Sequence, residues 1–173
     1  MAVKKKTKKK PITTIEMEIA VARHFGIRQH IIVPNISWGL SGMHEIDLFI
    51  IKKSGVAVEV EIKRSKSDFL ADFKKDHKHI DRFNRISEFY YAFPIELLDK
   101  CIKLIPEHAG IIVCERQKNY VGVEILKAWV KREPKKIKGA RKLTSEEQFK
   151  IARLGCLRII PLKEKLLAFQ NKL

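Results

Sequence analysis

Long apolar runs are missing from this 173-residue chain. No stretch approaches the ~18 residues a membrane-spanning helix needs, so a membrane partner is not expected. The Lys-rich start has no apolar segment directly behind it, so it does not read as a secretory signal. No glycine-rich phosphate loop of the Gly-x-x-x-x-Gly-Lys type is present, which excludes a phosphate cradle of that kind. Cysteine is scarce. Cys101, Cys114 and Cys156 lie far apart, with no Cys-x-x-Cys and no Cys/His metal spacing. The thiols are therefore expected as buried small hydrophobes in a reducing cytoplasm. Acidic residues are in deficit, at 20 Asp+Glu against 36 Lys+Arg, for a formal net charge of +16. A surplus of that size draws nucleic acid or another polyanion, with an affinity that salt weakens.

What is there fits one domain with extensions. Hydrophobic residues make up 45% of the chain, enough to bury a sizeable core. Residues 1–11 form a basic tail without apolar periodicity, either a nucleic-acid-binding arm or a solvated run. Ile12, Ile15, Ile19 and Ala22 recur at helical spacing, which predicts a helix over 13–25. Thr13 and Glu16 fit a capping box at its start, and Gly26 is a natural stop. Strands are predicted over 30–37, 45–51 and 56–63, and a helix from Ser67 to about His79. A strand over 88–93 and a helix over 95–105 follow. Two more strands, 109–114 and 120–126, flank an expected turn at 116–119. Residues 131–143 read as an exposed basic loop. Thr144 and Glu147 open another helix, which Gly155 is expected to stop, and 162–169 reads as a short final helix. The order predicts a mixed α/β fold with one central sheet flanked by helices. Its core spans 12–130, and a helical extension covers 144–173.

The chemistry lies in charges placed inside two adjacent apolar strands. Side chains alternate across a strand, so Glu59, Glu61 and Lys63 share one face opposite Val58, Val60 and Ile62. In the preceding strand Glu45, Asp47 and Phe49 share a face. Lys52 to Gly55 makes a turn between the strands, so the two acidic faces adjoin. Neighbours on one face are about 6.5–7 Å apart at Cα. That spacing is expected to keep Glu61 and Lys63 from quenching each other directly, while letting both reach one bound group. Mg²⁺, with Mn²⁺ as substitute, takes a few carboxylates and keeps its waters. Asp47 and Glu61 supply such oxygens, and the Ile62 carbonyl is a third. Lys63 is placed to orient or deprotonate an attacking water, or to stabilise developing charge. The competing readings are a solvated acidic face, or a lysine paired with Glu61 or Glu59. Glu59 is also a candidate for an outer ligand role.

Four further groups stand out. Arg64 and Lys66, just past Lys63, are candidates to neutralise a phosphate backbone. His77, Lys78 and His79 either contact the scissile phosphate, with Lys78 and His79 the better pair, or stabilise a helix C-terminus. Trp38, in a loop with two glycines, stacks on a base or anchors its loop. Phe89, Tyr90, Tyr91 and Phe93 read as strand core.

The stretches EIDLFI (45–50), VEVEIKRSKSDFLADFKKDHKH (58–79) and EFYYAFP (88–94) resemble the core of the PD-(D/E)XK nucleases, the restriction-endonuclease-like superfamily. Within it they are similar to MmcB-like DNA repair proteins and their phage homologues. The resemblance covers most of the chain beyond the Lys-rich tail. It implies a restriction-endonuclease-like αβββαβ core and metal-dependent hydrolysis of DNA, in DNA repair or phage DNA metabolism. The compartment implied is the cytoplasm of a bacterium or a phage-infected host. It makes Asp47 and Glu61 metal ligands and Lys63 the catalytic lysine. Glu16 would match the helix-borne acid of many members, although its capping-box role explains it equally well. Ile46 stands where the name-giving proline would be. A homodimer is compatible with this reading, since nucleases that cut both strands often need two sites. The rival expectation is a non-catalytic basic module that binds nucleic acid on a nuclease-like fold.

Overall fold

The computed structural model describes residues 10–36, 40, 45–72 and 84–171. Helix α1 spans Thr14–Phe25. Thr13 accepts from the Glu16 N–H, Glu16 accepts in return from the Thr13 N–H, and Gly26 closes the helix at φ 88°. Both ends are those expected from Thr13, Glu16 and Gly26. Three strands follow: β1 (Ile31–Ile36), β2 (Ile46–Ile51) and β3 (Ala57–Ile62). Helix α2 is described over Lys66–Asp72, and the rest of the helix expected to about His79 lies outside the described residues. Strand β4 is Ile86–Pro94 and helix α3 is Ile95–Cys101, continued by a single 3-10 turn over Ile102–Leu104. Then come β5 (Gly110–Lys118), β6 (Glu124–Arg132), α4 (Ser145–Leu157) and α5 (Ile159–Gln170).

The strands form one sheet in the order β1-β2-β3-β4-β5-β6. The β3/β4 and β4/β5 pairs are parallel, and the others are antiparallel. Every residue of β4 is buried, as expected of a parallel strand covered on both faces. The fold is thus a mixed α/β sheet flanked by helices.

On one face, α1 lays Met17 and Val21 over Leu48, Val58, Val60 and Ile62. The other face carries two apolar patches. Leu143 with Ile151 and Leu154 of α4 covers Val33, Phe49 and Ile51. Phe69 of α2, with Cys101 and Ile105, covers Phe89, Tyr91 and Phe93. Residues 144–157 therefore share the core. Helix α5 buries none of its side chains.

Two turns depart from expectation. The β5–β6 turn falls at 119–123, because the Asn119 side chain accepts from the N–H groups of Val121 and Val123 and Gly122 takes φ 81°. Tyr120, Val121 and Val123 are exposed there, so their apolar character does not mark a strand. Gly155 does not stop α4. It lies within the helix, where a Cβ would sit 3.2 Å from Val33 Cγ2, so it lets α4 approach β1 closely. Cys101 and Cys114 are buried as expected, but Cys156 is exposed because it lies on the outer side of α4. Among the described residues no helix is long and apolar enough to cross a membrane.

Candidate functional site

Strands β2 and β3 pair from Ile51/Ala57 to Leu48/Val60. One step further, Asp47 stands across from Glu61, and the ladder stops. The Ile62 N–H donates to Asp47 Oδ2 at 2.8 Å, so a side chain replaces the backbone partner. On its other side β3 continues along β4, with Glu61 beside Tyr91 and the Lys63 N–H donating to the Ala92 carbonyl. Asp47 and Glu61 thus lie at the neighbouring ends where β2 leaves β3.

The environment is drier than a solvated acidic face. Glu59 and Glu61 are each 1% exposed and Lys63 is 4% exposed. By register, Glu59 lies between Phe49 and Phe89 on the face that carries the two apolar patches. The acidic side of β3 therefore fills the trough between the α4 patch and the α2–α3 patch. Asp47 is half-buried. Alternation holds along β3 but breaks in β2, where Ile46 joins the same cluster as Phe49 and Ile51.

Lys63 Nζ lies 2.9 Å from Glu61 Oε2. The expectation that Cα spacing would keep these charges apart is wrong. The four-carbon lysine stem is long enough to fold back along the strand and close the gap. In a dry site such a pair attracts strongly, but stripping both ions of water costs several kcal/mol (about 3–5 if one partner is lost). Stability alone is a poor reason to keep it.

Glu16 is not part of this set. Its carboxylate is held by the Thr13 N–H and hydroxyl, and Arg116 of β5 lies 2.8 Å away. The Thr13 backbone bond, then the Arg116 guanidinium, hold its carboxyl down at about 2. Helix α1 also packs on the opposite face of the sheet from Glu61. Capping, not metal binding, accounts for Glu16. Its distant partner Arg116 carried no signal in the sequence.

Arg64 and Lys66 are exposed immediately beyond Lys63, at the same end of the sheet. The Arg64 N–H donates to Asp68 Oδ2 and the Asp68 N–H donates to Ser65 Oγ, which shapes this entry into α2. Trp38, His77, Lys78 and His79 lie outside the described residues. Burial pushes the Cys114 thiol up to about 12 and raises that of Cys101, so neither is suited to act as a thiolate.

No family model matches the chain, and no curated protein matches it. A solved structure shares its fold. It is the SPO1766 protein of unknown function from Silicibacter pomeroyi, at a TM-score of 0.62 and 17% identity, covering 92% of this chain and 95% of that one. At that identity the likeness speaks for the fold alone.

The donor set can be tested against a hard divalent cation. Among the described residues no group of three or more His, Cys, Asp or Glu side chains is placed to hold a metal. Two carboxylate-bearing residues, Asp47 and Glu61, lie at these neighbouring strand ends. Mg²⁺ is commonly held by one or two carboxylates, its remaining positions filled by water and substrate phosphate. The residues fit that mode and do not fit an all-protein cage.

Proposed function

We propose that this protein is a metal-dependent nuclease that hydrolyses phosphodiester bonds in DNA, acting in DNA repair or phage DNA metabolism. The observation that carries the reading is the placement of Asp47 and Glu61 at the neighbouring ends of β2 and β3, with the Lys63 ammonium against Glu61. Asp47 and Glu61 would hold Mg²⁺ or Mn²⁺, with the Ile62 carbonyl as a third oxygen. The cation supplies a more acidic bound water and neutralises charge on the phosphate.

The protein's own residues do the rest. The Ile62 N–H fixes the Asp47 carboxylate through one oxygen. The Lys63 ammonium lies 2.9 Å from Glu61 and as a cation suits stabilisation of the negative charge that develops at phosphorus. Arg64 and Lys66 follow in sequence and are exposed, suited to neighbouring phosphates. The chain-wide surplus of +16 favours a polyanionic substrate.

The test is incubation of purified protein with labelled single-stranded, duplex and branched DNA, with Mn²⁺ or with chelator. Cleavage of at least one substrate with metal and none with chelator is expected. Cleavage that survives chelator counts against the reading.

The Glu61–Lys63 contact also favours a second reading, because it engages one oxygen of the carboxylate, Oε2, without any metal ion. On that reading the protein is a basic nucleic-acid-binding module with a vestigial site. Titration calorimetry with Mg²⁺ and Mn²⁺ separates the two. The module predicts no heat and DNA binding that is indifferent to metal.

A further inference from the structure

The other end of the sheet carries a cleft that the catalytic reading does not use. Residues 133–143, most of the 131–143 stretch expected as an exposed basic loop, lie as a strap across the N-terminal ends of β3 and β4. Backbone bonds fix it along its length. Lys135 N–H donates to the His108 carbonyl, Ile137 to Ser87, Arg141 to Asn84 and Leu143 to Gly55, at 2.7–2.9 Å. Arg141 also makes two 2.7 Å bonds to the Glu147 carboxylate of α4.

Between strap and sheet lies a cleft of about 390 Å³, whose polar lining is Lys52, Ser54, Ser87, Glu88, Lys136 and Lys142. Glu88 is its one carboxylate, and Lys52 Nζ neutralises it with contacts of 2.8 and 2.7 Å. Those two contacts leave Lys52 a third N–H to donate. Lys136 and Lys142 are exposed and have no carboxylate partner among the described residues. Lys135 and Arg141, beside them, do have one, in Glu107 and Glu147. Lys136 and Lys142, which line the cleft, are thus left uncompensated, as is Lys138, which does not line it. Ser54 and Ser87 add hydroxyls, which with ammonium donors suit a tetrahedral anion. No aromatic side chain lines the cleft, so it offers no stacking platform for a base.

We infer that this cleft is a phosphate-binding site, taking a backbone phosphate of nucleic acid on Lys136, Lys142 and the third N–H of Lys52, without regard to base sequence. It stands apart from Glu61. The run from Val56 to Glu61 spans about 17 Å at ~3.3 Å per residue. The site needs no metal, so it holds or fails independently of the nuclease reading.

The experiment measures binding of a labelled 30-base-pair duplex by fluorescence anisotropy, in chelator, from 50 to 200 mM salt. The chain is compared with Lys136→Gln/Lys142→Gln and with Lys163→Gln/Lys165→Gln, which removes the same charge from α5. Each phosphate contact contributes about 0.9 to the salt slope. Loss of that one phosphate contact should flatten the slope by about 0.9, so the fourfold rise in salt costs the cleft variant about 3.5-fold less affinity than it costs the unaltered chain. The α5 variant should keep the original slope. Equal flattening in both variants would overturn the inference, leaving only diffuse charge, and so would no change in either.

A second arm titrates inorganic pyrophosphate and a hexaglutamate peptide into all three proteins by thermal shift. Stabilisation by pyrophosphate that disappears in the cleft variant, with no response of the DNA slope, would overturn the nucleic-acid assignment and give the cleft a free phosphate ligand instead. Hexaglutamate that matches pyrophosphate at equal charge would overturn phosphate recognition in favour of an acidic protein segment.

Discussion

The two ends of β3 each hold a lysine against a glutamate, in opposite circumstances. At the C-terminal end Lys63 and Glu61 are almost sealed, with side chains 5% and 1% exposed. At the N-terminal end Lys52 and Glu88 are 32% and 11% exposed, beside an open cleft. The contact lengths are nearly equal, at 2.9 and 2.7 Å. Distance therefore does not separate the two pairs; dehydration does. The wet pair is cheap to keep and adds little. The dry pair carries a desolvation cost that two apolar residues would avoid. Stability alone is therefore a poor account of the dry pair and of Glu59, buried beside it.

The largest effect should come from breaking the dry pair. Lys63→Met is expected to lower the unfolding free energy in urea by about 3–5 kcal/mol, and Lys52→Met by about 1 kcal/mol. Equal losses would erase the distinction between the two ends. Asp47 gives a smaller contrast at one residue. Asp47→Ala leaves the buried Ile62 N–H without its acceptor, a cost of about 1–3 kcal/mol. Asp47→Asn keeps a carbonyl oxygen in that place and should unfold within about 0.5 kcal/mol of the unaltered protein, since only the charge is lost.

The smallest effect concerns acid. The Arg141 guanidinium, then the Thr144 backbone bond, hold the Glu147 carboxyl down at about 2 from its usual 4.5. A depressed carboxyl stabilises the fold fully above its unfolded value, and that contribution fades as pH falls from 4.5 towards 2. The strap end should loosen over that window. Hydrogen exchange at Ile137, Arg141 and Leu143 should speed up there in the unaltered protein, and Glu147→Gln should flatten the change.

Local signals were legible in the sequence. Both Thr-x-x-Glu boxes form because their partners lie three residues apart. The alternation of Val58, Val60 and Ile62 against Glu59, Glu61 and Lys63 survives because each face of β3 meets a different layer. That Asp47 and Glu61 lie at neighbouring strand ends followed from one hairpin. What was illegible is long-range or depends on side-chain reach. Arg116 takes Glu16 across a hundred positions. The strap's backbone bonds to Asn84, Ser87 and Gly55 leave no mark in composition, so a basic stretch read as an exposed loop. Lys63 closes on Glu61 because a flexible stem does not obey Cα spacing. Gly155 serves packing rather than termination, and a glycine looks the same in either role until its neighbour Val33 is known.

The most direct measurement is single-turnover cleavage of labelled DNA in Mn²⁺ by the unaltered protein and by Asp47→Asn, which preserves the bond to Ile62 while removing one anionic ligand. The account predicts a fall in rate of at least about a hundredfold, with DNA affinity in chelator unchanged or tighter. Equal cleavage rates in the two proteins would contradict it.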